Sequence, residues 1–282
     1  MSSLIAVHTI ADLRALVTRW RSAGERVALV PTMGALHEGH IALTEIARQR
    51  RAKTIVSIFV NPTQFAPHED FGKYPRTFEV DCAKLTQAHV EAVFAPQASE
   101  IYPQGFATTI SLSGPASADL EDRFRPTHFA GVATIVAKLL LQAAPDLAIF
   151  GEKDYQQLAV IRQMVKDLDL PVEIIGAPTI RAPDGLALSS RNAYLTPEER
   201  ARAPLLQASM QTAARHIKAG SAIEAALEEA RTTLRSAGFE IDYLDLRDAI
   251  SLDKVAHVET GPLRMLAAVR LGKTRLIDNI AV

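Results

Sequence analysis

Cysteine is almost missing from this sequence: Cys82 stands alone in 282 residues. No disulfide can form within the chain, a reducing compartment fits, and the residue's place on an amphipathic segment reads as a core thiol rather than a nucleophile. A surplus of one charge is missing too. Lys plus Arg number 31 against 32 Asp plus Glu, a formal net charge of −1, which offers no bulk attraction for nucleic acid or an anionic membrane. No apolar run approaches the ~20 residues that span a bilayer, and Met1-Ser2-Ser3-Leu4-Ile5 lacks a basic region followed by a long apolar one. The expectation is a cytoplasmic protein with neither nucleic-acid nor membrane partners. Internal repeats, low-complexity segments and charge blocks are also absent. Apolar material is plentiful at 48%, enough for a buried core in one large or two smaller domains.

The chain is organised around Pro31-Thr32-Met33-Gly34-Ala35-Leu36-His37-Glu38-Gly39-His40. The apolar run before it (26–30) reads as a buried strand, and residues 41–50, apolar at 41, 43, 46 and 47, read as an amphipathic helix. A strand-to-helix turn in a parallel sheet lies at the edge where ligands bind, and a helix start offers N–H groups and a positive dipole end to an anion. Gly34 and Gly39 allow close backbone approach, and His37 and His40, three apart, share a helix face. Phosphate chemistry fits this pattern. Two surface histidines, or two metal ligands, fit the bare pair as well, although no third strong ligand lies at a helical spacing.

Thr9 and Asp12 open a first helix closed by Gly24, with Trp20 as packing. Residues 53–60 read as a second buried strand that empties into Asn61-Pro62-Thr63-Gln64-Phe65, where Asn61 and Gln64 either face the site or satisfy the turn. Residues 66–76 read as an exposed loop, 77–89 as a helix, 92–95 and 106–112 as strands. Asp81 on that helix is a solvated acid or meets a bound cation. The segment 121–129 reads as a charged, aromatic and mobile insertion before a helix over 131–143. A strand over 146–150 then runs into Gly151-Glu152-Lys153-Asp154-Tyr155-Gln156-Gln157. There Lys153 is either a phosphate point charge, with Gln157 one turn on, or a solvated helix start.

After a strand at 172–175 the stretch 177–185 breaks the α/β rhythm, and the domain boundary is placed there. Ser189-Ser190-Arg191-Asn192 either wraps a polyphosphate with hydroxyl and guanidinium donors or only connects into the helix opened by the Thr196-Pro197-Glu198-Glu199 capping box. Helices over 197–219 and 222–237 and strands over 240–247, 263–271 and 274–280 complete a small second domain, with a tight turn at Gly272-Lys273.

Five motifs in register carry more than spacing does: P-T-M-G-A-L-H-E-G-H, S-I-F-V-N-P-T-Q-F, Y-P-R-T, F-G-E-K-D-Y-Q-Q-L and D-G-L-A-L-S-S-R-N-A-Y-L. With the closing Arg275-Leu276-Ile277-Asp278-Asn279, they resemble the pantoate–β-alanine ligase family across nearly the whole chain. The resemblance implies an α/β fold: a Rossmann-like parallel-sheet domain for ATP and pantoate (1–177) and a smaller α+β lid domain (178–282). His37-x-x-His40 resembles the H-x-G-H signature of the wider nucleotidyltransferase group. The likeness implies ATP contacts at Met33, Gly34, Ala35, Leu36, His37, Glu38, Gly39 and His40, with His40 as catalytic acid. It implies further ATP contacts at Gly151, Glu152, Lys153, Asp154, Ile180, Leu188, Ser189, Ser190 and Arg191. Of these, His37, Lys153, Ser189 and Arg191 join His40 in catalysis. Gln64 and Gln157 match positions that hold pantoate, near Asn61, Pro31 and Thr32. Magnesium, held mainly by ATP phosphates with Asp81 as a candidate ligand, and a homodimer are also implied. One departure stands out: a segment that commonly reads R-P-G-H-F is Arg125-Pro126-Thr127-His128-Phe129 here, and a positive φ at 127 would strain threonine.

The implied reaction has two steps. Pantoate carboxylate attacks the α-phosphorus of ATP and expels pyrophosphate; the β-alanine amine then attacks the mixed anhydride to give pantothenate and AMP. Three rivals remain at this stage: a nucleotidyltransferase acting on a phosphorylated alcohol, a class I aminoacyl-tRNA synthetase, and a nucleotide-sensing module without catalysis. A phosphorylated acceptor calls for basic residues where Asn61, Gln64 and Gln157 stand, and the synthetase for a basic RNA-binding domain.

Overall fold

A computed structural model describes residues 4–65, 71–257 and 261–282. Met1 to Ser3, and residues 66–70 of the expected exposed loop, lie outside them. The chain divides into two units, Met1–Gly151 with Val160–Ala177, and Glu152–Ala159 with Pro178–Val282.

The first unit alternates strands and helices: β1 (Ile5–Val7), α1 (Ile10–Ser22), β2 (Arg26–Thr32), α2 (Glu38–Gln49), β3 (Ala52–Ile58), α3 (Phe78–Gln87), β4 (Ala92–Phe94), α4 (Ala98–Ile101), α5 (Glu121–Phe124), α6 (His128–Ala143), β5 (Leu147–Gly151), the part of α7 (Tyr155–Asp167) from Val160 on, and β6 (Glu173–Ala177). Among the described residues six strands form one sheet in the order β1-β4-β3-β2-β5-β6, every pair parallel. Strands of such a sheet are covered on both faces and read as continuous apolar runs. Val27, Ala28, Leu29 and Val30 are all fully buried for that reason. β2 pairs with β3 along its whole length and with β5 on its other side. Strand order therefore reverses beside β2, and the crevice outside the carboxyl ends at such a reversal is where open α/β sheets bind ligands.

Local signals account for most of these elements. Thr9 caps α1 by accepting the Asp12 N–H. α6 buries thirteen of its sixteen residues, so it is a core helix rather than an amphipathic surface one. Leu36, Leu43, Ala47, Leu85, Val93 and Ile149 form one cluster with the strands.

Several expectations are corrected. Residues 106–112 carry no strand; the backbone N–H of Ile110 goes instead to the Thr134 hydroxyl at 2.9 Å. The strand beside β4 at one edge is β1, three residues long and too short to show a period. The segment 121–129, expected as a charged and aromatic insertion, holds α5 and the start of α6, with Glu121 and His128 each 7% exposed. Thr127 has φ −98°, so the strain expected there does not arise. In the expected loop 66–76, the described part makes a helical turn at Phe71–Lys73 and buries Tyr74, with Phe65 between the rings of Phe71 and Tyr74 at 5.4 and 6.1 Å.

The second unit holds α8 (Pro197–Arg202), α9 (Leu205–Lys218), α10 (Ile223–Ser236), β7 (Phe239–Asp248), β8 (Leu263–Leu271) and β9 (Thr274–Ala281). The strands make an antiparallel sheet in the order β7-β8-β9. Its core joins Leu206, Met210 and Ile217 of α9 and Leu227 and Leu234 of α10 to Leu244, Met265 and Val269 of the sheet. Thr196 and Glu199 form the expected capping box. The single helix expected over 197–219 is two. Pro204 has no N–H to continue the ladder, and the chain breaks there.

Candidate active site

The turn after β2 is built by its neighbours. Thr32 donates to the carbonyl of Ser57 at 2.7 Å and accepts the Gly34 N–H at 3.2 Å. Gly34 has φ +85° and Ala35 φ +51°. A Cβ on Gly34 would sit 3.1 Å from Ile58 and 3.2 Å from the Asp81 carboxylate, so both conformation and space call for glycine. Asp81 corrects the reading of a solvated acid, being 1% exposed. Its two oxygens accept the N–H groups of Ala35 and Leu36, each at 2.9 Å, and the Thr77 hydroxyl at 3.2 Å. These bonds make it the anchor of the turn. Among the described residues no group of three or more His, Cys, Asp or Glu side chains is placed to hold a metal ion.

His37 and His40 close this turn as a reciprocal cap on α2. Nδ1 of His37 accepts the Gly39 N–H at 3.1 Å, and Nδ1 of His40 accepts the His37 N–H at 3.3 Å. The rings lie 4.1 Å apart between centroids. An Nδ1 that accepts from an amide carries no proton, so each neutral ring bears its hydrogen on Nε2. The pair thus supplies N–H donors at the positive end of a helix, the polarity a phosphate requires.

Beyond β3, Asn61 is buried and holds the turn with both ends of its amide. Its oxygen accepts from Thr63 Oγ1 (3.0 Å) and the Tyr102 hydroxyl (2.8 Å); its nitrogen donates to Gln64 Oε1 and to the carbonyl of Gly131, both at 3.2 Å. Burial raises the pKa of Tyr102, keeping it a donor here. Gln64 reaches the Met33 sulfur at 3.1 Å with Nε2, which joins this turn to the histidine turn. Its carbonyl accepts from His128 Nδ1 at 3.0 Å and from Arg125 at 3.4 Å. A Cβ on Gly131 would fall 2.4 Å from the carbonyl oxygen of Thr63, so α6 touches this turn backbone to backbone. Sequence reasoning names Arg125 and His128 only within the 125–129 segment, without these contacts, and does not single out Gly131; each depends on a partner 61 or more positions away.

Gly151 ends β5 opposite Ala177. In the second unit, Glu152–Asp154 make one helical turn that leads into α7. Lys153 keeps 20% of its side chain exposed, with its ammonium 4.0 Å from Asp154. Gln157, half-buried on the first turn of α7, follows one turn later. Ile180 is exposed, and its carbonyl accepts the Leu188 N–H at 2.9 Å. Ser189 accepts the Arg191 N–H at 3.2 Å and so caps the short helix Ser190–Tyr194, while Asn192 ties back to the carbonyl of Ala187 at 3.0 Å. Ser189, Ser190 and Arg191 are thus gathered at a helix start, half-buried.

Residues 5–281 match the family model described as Pantoate-beta-alanine ligase. A pantothenate synthetase of Rhodopseudomonas palustris (strain HaA2) is 55% identical over 278 residues, 99% of this chain and 98% of that one. The crystal structure of pantothenate synthetase from Thermus thermophilus superposes with a TM-score of 0.92 at 46% identity, covering 98% of this chain and 99% of that one. Pantoate-beta-alanine ligase from Francisella tularensis, solved as a complex with beta-gamma ATP and beta-alanine, gives 0.82 at 35% identity over 98% and 97%. Matches of this length leave no part of either unit unaccounted for, and the chain belongs to the pantoate–β-alanine ligase family.

Proposed function

We propose that the chain joins (R)-pantoate to β-alanine by way of a pantoyl adenylate, converting ATP to AMP and pyrophosphate in the biosynthesis of pantothenate and coenzyme A. The observation that carries this reading is the histidine-capped start of α2, two Nε2–H donors at a helix N-terminus, in a chain matched to the family over residues 5–281. The Francisella tularensis complex supports ATP and β-alanine as substrates. Magnesium enters as part of the ATP substrate, bound by phosphate oxygens and water in the manner of an ion that dehydrates reluctantly. A cytoplasmic homodimer belongs to the same reading.

In the first step the pantoate carboxylate attacks the α-phosphorus, and charge grows on the α-phosphoryl oxygens and on departing pyrophosphate. His37, His40, Lys153, Ser189, Ser190 and Arg191 are the donors we assign to that charge. Such groups accelerate the step only so far as they hold the transition state more tightly than the substrates. Gln64 and Gln157 are assigned to pantoate, whose hydroxyls and carboxylate suit neutral amides. In the second step the β-alanine amine attacks the acyl carbon and AMP departs. Water must be kept from the adenylate until then.

The test incubates the protein with ATP, magnesium, pantoate and β-alanine, omits each in turn, and follows AMP and pyrophosphate. Turnover should need all four; with only β-alanine left out, one pyrophosphate per site should be released while AMP stays bound in the adenylate. AMP released without pantoate, or ATP bound with no AMP formed, would refute the reading.

A further inference from the structure

Lys153 has no rigid side chain to aim it; its ammonium is placed by the backbone of the turn it stands on. In the second unit that backbone is gripped by Asn279, near the end of β9. Nδ2 of Asn279 donates to the carbonyls of Glu152 and Lys153 at 2.8 and 2.9 Å. The amide cannot swivel, because Arg264 Nε donates to its Oδ1 at 2.7 Å. Only one orientation offers oxygen to the guanidinium and nitrogen to the two carbonyls.

Arg264 is fixed in turn. It reaches Glu152 Oε2 at 2.8 Å and lies 4.1 Å over the ring of Tyr155, whose hydroxyl donates to the carbonyl of Ala249 at 2.9 Å. Asp278 beside it accepts the Asn279 N–H at 2.7 Å and pairs with Arg181 at 2.6 and 2.8 Å. Asn279 and Asp278 are 3% and 4% exposed. Polar networks this buried persist when their bonds are complete, and they then fix one geometry.

We propose that Asn279 is a positioning residue for adenylation: it locks the Glu152–Asp154 turn so that Lys153 meets the phosphates of ATP, and Arg264 orients its amide. The inference rests on the assignment of Lys153 given above. By analogy with the outer partners that orient metal ligands, removal of Asn279 should cost about 10- to 100-fold.

The experiment is a double-mutant cycle read by pantoate-dependent pyrophosphate exchange. Asn279→Ala should lower exchange by about 10- to 100-fold in the parent, with the KM for pantoate unchanged, and by less than about threefold when Lys153 is already alanine, as expected of residues acting as a unit. Should Asn279→Ala fail to melt cooperatively, Arg264→Lys takes its place. That change keeps the charge beside Glu152 and loses the Nε donor, and its expected loss vanishes in the Lys153→Ala background in the same way. Losses that simply multiply, or parental exchange in a folded variant, would overturn the positioning role while leaving the ligase reading intact. Parental exchange in Lys153→Ala alone would overturn the assignment of Lys153, and this inference with it.

Discussion

The carboxylate of Asp81 receives the backbone N–H of Ala35 at 2.9 Å, from 46 positions along the chain, and so holds a non-glycine residue at φ +51°. With Leu36 sharing the same carboxylate, Asp81→Ala strands two amides, one of them buried. A loss of about 2–4 kcal/mol is expected from the desolvation of such donors, read as a shift in the urea midpoint. Asp81→Asn keeps one acceptor and should lose less. Equal stability of the alanine variant and the parent would show that the turn holds itself.

His40→Ala and Lys153→Ala should each lower pantoate-dependent pyrophosphate exchange about 10²- to 10³-fold, the cost of one donor to developing charge, about 2.7–4 kcal/mol. Both variants should still melt cooperatively. His40→Ala also loses half of a reciprocal cap, so a further drop of about 1 kcal/mol in stability is expected. Exchange near the parental rate in either variant would remove that residue from the chemistry.

Gln64→Ala should weaken pantoate far more than ATP, measured as separate KM values. Losses of equal size in both would place Gln64 outside the pantoate contacts.

Gly131→Ala tests the same turn from behind. The new methyl, 2.4 Å from the Thr63 oxygen, must push helix and turn apart, at about 1–3 kcal/mol. The KM for pantoate should rise while that for ATP holds. A variant as stable as the parent, with unchanged kinetics, would contradict the close approach.

Thr127→Gly restores the residue common in the resembling segment. Because φ is −98° here, no strain is there to relieve. Stability should fall by about 0.5–1 kcal/mol through a freer unfolded chain, with kcat/KM within about twofold. A clear gain in stability would mean that Thr127 is strained after all.

Periodic segments were legible from sequence because their information is local. The apolar run before Pro31, the spacing of Ile41, Leu43, Ile46 and Ala47, and the Thr196 capping box each carry their signal within a few residues. The pairing of His37 with His40 was visible as a shared helix face, although their use as reciprocal caps was not. What sequence hid is long-range. The acid at position 81 looks solvated until the turn 46 positions back supplies its donors. Residues 106–112 have the branched composition of a strand but meet no ladder, and the Ile110 amide is taken by a hydroxyl of α6 instead. Asn279 shows its purpose only beside carbonyls 126 and 127 positions away.

The backbone-to-backbone seam between Gly131 and Thr63 sets how this enzyme can be redesigned. If Gln64 holds the hydroxy acid as proposed, a protein engineer seeking a bulkier one has almost no freedom at buried positions 61, 128 and 131, where enlargement presses on a core helix. Libraries should instead diversify the tip of Gln64 and its thioether neighbour Met33, where flexible side chains meet each other and can be resized without disturbing the frame.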